Sequence, residues 1–233
     1  MDLRVTGLFY GIGGSSERGW LGWSTVVLIQ DNGRNLLFDT GAFNDRPGLL
    51  MKLADHHLSP DDIDSVIISH LHFDHIGNID LFKKAKWYIH QEEIEESGKP
   101  DDPVPEPYRL WILRQPNLIV VRKPRMGIMS GIEMIHTPGH TKGSCSLLAV
   151  YDKKRILLCA DAIKSREDIW GTPFYLSSLG RMVGIVDYII PGHDCPLLPD
   201  GTPFADNINT AHWIKTNAPL EVCNYGTNGK YKV

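Results

Sequence analysis

Long apolar runs are scarce in this 233-residue sequence. A bilayer-spanning helix calls for about 20 predominantly apolar residues, and no stretch here reaches that length. Met1-Asp2-Leu3-Arg4 lacks the basic start and apolar core of a signal peptide, so cytoplasmic residence without membrane attachment is expected. Positive charge is in short supply too. Lys and Arg number 24 against 28 Asp and Glu, a net charge of −4. Nucleic-acid enzymes usually carry a basic footprint. Here the basic residues gather only at Lys83, Lys84 and Lys86 and at Lys153, Lys154 and Arg155, which ranks nucleic acid behind a small-molecule substrate. The four cysteines, Cys145, Cys159, Cys195 and Cys223, form no C-x-x-C pair. That removes the zinc-knuckle and redox-motif signatures. Cys159, inside an apolar run, and Cys195 are expected to pack. Gly11-Ile12-Gly13-Gly14 falls short of the G-x-G-x-x-G dinucleotide fingerprint and precedes no clear helix.

What is abundant is local. Ser69-His70-Leu71-His72-Phe73-Asp74-His75 packs three imidazoles and a carboxylate directly after the apolar run Ile63 to Ile68, which has the pattern of a buried strand. Polar groups crowded at the end of a buried strand are costly unless a cation gathers them. Imidazole with carboxylate suits zinc, iron or manganese. The pattern recurs downstream. His140 follows the run Ile132 to Ile135 through Thr137-Pro138-Gly139, Asp161 closes Ile156 to Ala160, and His193 follows Val186 to Gly192. Four apolar segments each deliver a ligand-type residue at their C-terminal end, where functional loops commonly sit.

This series resembles the metallo-β-lactamase superfamily. The match is HxHxDH at His70, His72, Asp74 and His75, then His140, Asp161 and His193 in the family's order, with Leu36 to Gly41 similar to its LLxDTG element. It spans roughly residues 20 to 195. The resemblance implies an α/β fold, an αββα sandwich with mixed sheets and the metal site at one edge, here as a single domain over residues 1–233. It further implies that His70, His72 and His140 bind one metal and Asp74, His75 and His193 a second, with Asp161 bridging. Two divalent ions, zinc first and iron or manganese as alternatives, would activate a shared water. Asp74 would orient that water and take part in proton transfer, making it the catalytic candidate. Hydrolysis of a small ester, lactone or thioester ranks first, phosphodiester or RNA cleavage second. A mononuclear-iron, persulfide-dioxygenase-like reaction is the outlying alternative. The motif surroundings look similar to acyl-homoserine lactonases and to the metallo-β-lactamase domain-containing protein 1 branch. Unlike those lactonases, the chain has Lys164 rather than tyrosine three residues after Asp161.

The remaining segments carry weaker expectations. Leu3 to Phe9, Ser24 to Gln30, Asn35 to Phe38, Ala85 to Ile89, Leu118 to Arg122, Ile132 to Ile135, Ser144 to Tyr151, Arg155 to Cys159 and Tyr188 to Ile190 are predicted strands. Pro47 to Ala54, Ile79 to Lys84, Gln91 to Glu96 and Asn207 to Thr216 are predicted helices. The glycine-rich Gly11 to Gly22, with Trp20 and the following Trp23, is either a hairpin over the metals or a loop with inward Trp residues. Gln91 to Asp102, rich in Glu and Asp, is predicted as a solvated acidic surface, followed by a stiff connection through Pro100, Pro103, Pro105 and Pro107. Lys164, Arg166, Trp170, Phe174, Tyr175 and Arg181 are pocket candidates. His56, His57, His90, His136 and His212 fall outside the motif frame. Oligomeric state is left open.

Overall fold

The computed structural model describes residues 3–17, 19–99, 102–151, 153–171 and 183–204. Phe174, Tyr175, Arg181 and the predicted helix at Asn207 to Thr216 lie outside them.

Strict alternation of buried side chains makes the architecture. In β4 (Val26–Asp31), Val27 and Ile29 face one core while Val26 and Leu28 face another. The same split divides Leu36 and Phe38 from Leu37 in β5 (Arg34–Phe38), and Tyr88 from Trp87 and Ile89 in β7 (Lys86–His90). Strands buried on both faces need a layer on each side. One face packs against the second sheet, the other against α1 (Arg46–Asp55) and α3 (Glu106–Leu113), which contribute Leu49, Leu53 and Ile112. The second sheet repeats the arrangement. In β12 (Lys154–Ala160), Ile156 and Leu158 face the inter-sheet core, while Leu157 and Cys159 join Ile163 and Ile169 of the outer layer. Each fully buried aliphatic side chain contributes about 1.5–3 kcal/mol of burial energy. The result is the αββα sandwich expected from the sequence.

Both sheets are mixed. The first runs β1 (Arg4–Phe9), β4, β5, β6 (Ser65–Ile67), β7 and β8 (Leu118–Val121). It is antiparallel as far as β5 and parallel beyond. The second runs β13 (Tyr188–Pro191), β12, β11 (Cys145–Tyr151), β10 (Ile132–His136) and β9 (Arg125–Met129), with only the β12–β13 pair parallel. The glycine-rich segment forms a separate hairpin of β2 (Ile12–Ser16) and β3 (Gly19–Trp23).

Three local expectations change. Ile79 to Lys84 makes only a single tight turn, Ile79–Leu81. The Phe82 carbonyl instead accepts the Trp87 indole N–H at 3.1 Å and the Ala85 N–H at 3.1 Å. The proline-rich connection ends in α3, because Pro107 sits in that helix's first turn, where its missing N–H has no intrahelical partner to lose. The acidic stretch is also not uniformly solvated. Its α2 (Gln91–Glu96) buries Glu93, which is 1% exposed. Among the described residues no helix is long and apolar enough to cross a membrane.

Candidate metal centre

The site forms where strands from both sheets end together. β6 feeds the loop of His70, His72, Asp74 and His75, whereas β10, β12 and β13 lead to His140, Asp161 and His193. The parallel pairing of β12 with β13 sets Ala160 opposite Pro191, so Asp161 and His193 emerge side by side. Ala160 holds φ +45° immediately before Asp161, a backbone strain of the kind that concentrates at functional sites. All seven side chains singled out from the sequence converge. His72 Nδ1 lies 3.0 Å from His140 Nε2. Asp161 stands at the middle, 3.3 Å from His140 Nε2, 3.2 Å from His75 Nε2 and 3.1 Å from His193 Nε2. Asp74 reaches 3.6 Å from His193 Nε2 and 3.9 Å from His75 Nε2.

Several of the rings are turned by a partner on the far side. His75 Nδ1 meets Asp39 Oδ2 at 2.7 Å, and His70 Nδ1 meets Ser69 Oγ at 3.0 Å. The Ser69 hydroxyl donates in turn to Asp39 Oδ2 at 2.6 Å. His193 Nδ1 meets the Trp23 carbonyl at 3.0 Å. These contacts aim the Nε2 atoms of His70, His75 and His193 at the centre. His70 Nε2 is buried there with no hydrogen-bond partner. Buried polar atoms are rarely left so. The donor set, imidazole nitrogens and carboxylate oxygens, fits a divalent transition metal.

Electrostatics divide the site in two. Burial pushes the His70 pKa well below its usual value, lowers that of His72 and takes that of His140 down to about 3. These three rings stay neutral, the form a metal binds. Burial also acts against charge on His75 and His193, but Asp161 and Asp74 outweigh it and raise both. Burial likewise opposes charge on Asp161, yet His75 and His193 hold its carboxyl well below the usual carboxylate range.

The hairpin rests on Asp74 and His193 themselves. A Cβ added to Gly22 would stand 2.3 Å from Asp74 Oδ2, and one on Gly13 would stand 3.2 Å from the His193 ring. Glycine there lets backbone approach the site. Trp20, Leu21 and Trp23 remain 65%, 41% and 36% exposed along the same hairpin.

Sequence reasoning overlooked the supporting carboxylates Asp39 and Glu93. Asp39 lay in the quoted Leu36 to Gly41 element, and its φ of +59° marks it as held for a purpose. Glu93 Oε1 accepts the Leu71 N–H at 2.8 Å and Oε2 accepts the Thr141 hydroxyl at 2.5 Å. It thus ties the His70–His72 loop to the His140 loop. Of the pocket candidates, Arg166 pairs with Asp194 at 2.6 Å, and Trp170, 57% exposed, donates to the Asp200 carbonyl at 2.9 Å. Cys159 and Cys195 are buried in the outer layer. His90 and His136 stack face to face at 3.8 Å with rings 12° apart. His90 Nδ1 accepts the Glu92 N–H and His136 Nε2 meets the Lys142 carbonyl, so these nitrogens serve local structure.

Residues 20–212 match the family described as the metallo-beta-lactamase superfamily. The chain belongs to that superfamily. It is therefore a member of a metallo-beta-lactamase-fold hydrolase family whose enzymes bind divalent metals. It is 28% identical over 186 residues to metallo-beta-lactamase domain-containing protein 1 of Xenopus laevis, covering 74% of this chain and 71% of that protein. It is also 28% identical over 160 residues to an N-acyl homoserine lactonase of a Bacillus species, covering 60% of this chain and 62% of the lactonase. Among solved structures, a Thermotoga maritima protein described as a metallo-beta-lactamase superposes with TM-score 0.73 at 27% identity, over 85% of this chain and all of that one. A Bacillus thuringiensis AiiA variant with N-decanoyl-L-homoserine bound shares the fold, at TM-score 0.63 and 20% identity over 82% of this chain and 92% of that one.

Proposed function

We propose that this superfamily member is a dinuclear metallohydrolase, zinc-loaded and specific for a small ester, lactone or thioester. The observation that carries the reading is the convergence of seven ligand-type side chains into groups whose donor atoms lie within 4.8 Å of one another, with His70 Nε2 buried among them without a hydrogen-bond partner. His70, His72 and His140 would hold one cation and Asp74, His75 and His193 the other, with Asp161 standing between the two groups. Bound cations supply Lewis acidity and lower the pKa of water toward neutrality.

The chain's own groups do the rest. Asp74 points a carboxylate oxygen into the site beside His193, where it orients the attacking water and relays the proton to the leaving oxygen or sulfur. Asp39 fixes the His75 ring, so that Nε2 faces inward. Trp20, Leu21 and Trp23 form an apolar rim on the hairpin that touches Asp74 and His193. That rim suits an acyl chain or other apolar substituent, and the net charge of −4 does not favour a polyanion. The lactonase among the relatives supports the lactone end of this range.

The test is elemental analysis of protein purified without added metal, followed by assays on lactones, thioesters and phosphodiesters. Two zinc ions per chain with turnover of lactone or thioester are expected. One iron per chain with oxygen consumption would overturn the hydrolase reading in favour of an oxygenase. Turnover confined to phosphodiesters would overturn the substrate class.

A further inference from the structure

His72 is turned opposite to its neighbours. Its Nδ1, not Nε2, faces His140, at 3.0 Å. A neutral imidazole carries one proton, so presenting an Nδ1 lone pair requires the proton on Nε2. That nitrogen has a partner from an unexpected place: Asp102 Oδ1, 3.0 Å away, with the two side chains only 11% and 17% exposed. Asp102 belongs to the acidic stretch that sequence reasoning treated as solvated surface.

The surrounding contacts show that Asp102 is placed rather than adventitious. Its second oxygen accepts the Gly98 N–H at 2.9 Å, and its own N–H donates to the Lys99 carbonyl at 2.9 Å. The next residue, Pro103, accepts the Phe73 N–H at 3.1 Å. Glu93, earlier in the same stretch, accepts the Leu71 N–H at 2.8 Å. Three consecutive residues of the ligand loop are therefore gripped by one segment, Leu71 and Phe73 by the backbone and His72 by the ring. A freely solvated acidic face would make none of these contacts.

Building on the dinuclear reading above, we propose that Asp102 is a positioning residue of the metal centre. Its carboxylate accepts the hydrogen bond donated by His72 Nε2–H, fixes the tautomer that would offer Nδ1 to the first cation and prevents the ring from flipping. Carboxylates placed behind a ligating imidazole typically account for about 10–100-fold in metal affinity.

The experiment compares wild type, Asp102→Ala and Asp102→Asn by competition with a chromophoric chelator, using zinc, and by the visible spectrum after cobalt substitution. The metal-free proteins are melted in parallel. Asp102→Ala is expected to weaken one of the two sites by about 10–100-fold and alter its cobalt spectrum, leaving the other site and the metal-free melting midpoint unchanged. Asp102→Asn, whose amide oxygen still accepts from Nε2, is expected to recover most of the loss. Equal affinities in wild type and Asp102→Ala would overturn the role, as would an asparagine variant no better than alanine. A lowered midpoint with unchanged affinity would reduce Asp102 to a structural contact. A wild type holding one cation would refute the dinuclear reading instead, and Asp102 is then judged on that single site by the same comparison.

Discussion

Replacing Gly143 by alanine tests how closely the acidic helix must press on the His140 loop. A Cβ at Gly143 would lie 1.9 Å from the Glu93 backbone nitrogen and 2.2 Å from its Cα. These are main-chain atoms of α2 and cannot rotate away. Ordinary van der Waals contact begins near 3.4 Å, so the loop and the helix must separate by roughly 1.5 Å, and overpacking of this kind typically costs about 1–3 kcal/mol. With backbone as the obstacle the upper end applies, about 3 kcal/mol, or a fall of about 6–12 °C in melting temperature for a chain of this size. The same separation withdraws Thr141 from Glu93 and loosens the hold on His140. Gly139 supplies the control from the same loop, since an added Cβ there meets nothing within 4 Å. Gly139→Ala should stay within about 1 kcal/mol of wild type. Thermal melts of both variants, taken in chelator to remove any contribution from metal, make the comparison. A Gly143→Ala protein melting within about 2 °C of wild type would refute the close-approach argument.

Gly22→Ala drives a methyl group into Asp74 Oδ2 at 2.3 Å; turnover should fall sharply while the melting temperature barely moves, and a fully active variant would separate the hairpin from the site. Asp74→Asn should lower kcat by about 100-fold or more with little loss of stability, and a near-wild-type rate would remove Asp74 from the chemistry. Trp20, 65% exposed, should tolerate alanine within about 0.5 kcal/mol; its loss should raise KM for a long-chain acyl substrate and leave KM for a short one alone, a contrast that steady-state kinetics reads directly. Burial raises the Glu93 pKa above its usual 4.5, outweighing the donors from Thr141 and Leu71. The folded chain then binds this proton more tightly than the unfolded one. The associated stability is complete below pH 4.5 and is lost as pH climbs through the raised value. Metal-free wild type should therefore lose ground to Glu93→Gln as pH rises from 4 toward 7, and a gap in melting temperature independent of pH would contradict the shift.

The sandwich and the clustering of the seven His and Asp side chains were legible because both rest on local, repetitive signals. Unbroken apolar runs such as Val26 to Ile29 and Ile156 to Cys159 mark strands buried on both faces, and a ligand-type residue follows several such runs. The supports were harder to see. Glu93 and Asp102 look like their charged neighbours Glu92, Glu95 and Glu96, and only the tertiary fold decides which carboxylates turn inward. Asp39 and Ser69 make their contacts across 30 residues of sequence, a relation that no periodicity encodes. The α3 helix was hidden by Pro107, whose place in a first helical turn is favourable but reads locally as a breaker. The hairpin β2–β3 was foreseen as one of two options; what settled it was the fit of Gly13 and Gly22 against His193 and Asp74.

The seven residues of the candidate metal centre come from both sheets, and this bears on how the chain assembles. His70 to His75 follow a strand of the first sheet, while His140, Asp161 and His193 follow strands of the second. Neither sheet alone can present a complete site, so full-affinity metal capture must wait until the two halves have docked. On the proposed dinuclear reading, each cation would act as a cross-link between segments 68 residues or more apart, as from His72 to His140, and an opening of either half would have to break its coordination. Metal release and global unfolding should accordingly share one rate-limiting event, and chelation should speed unfolding more than it slows folding.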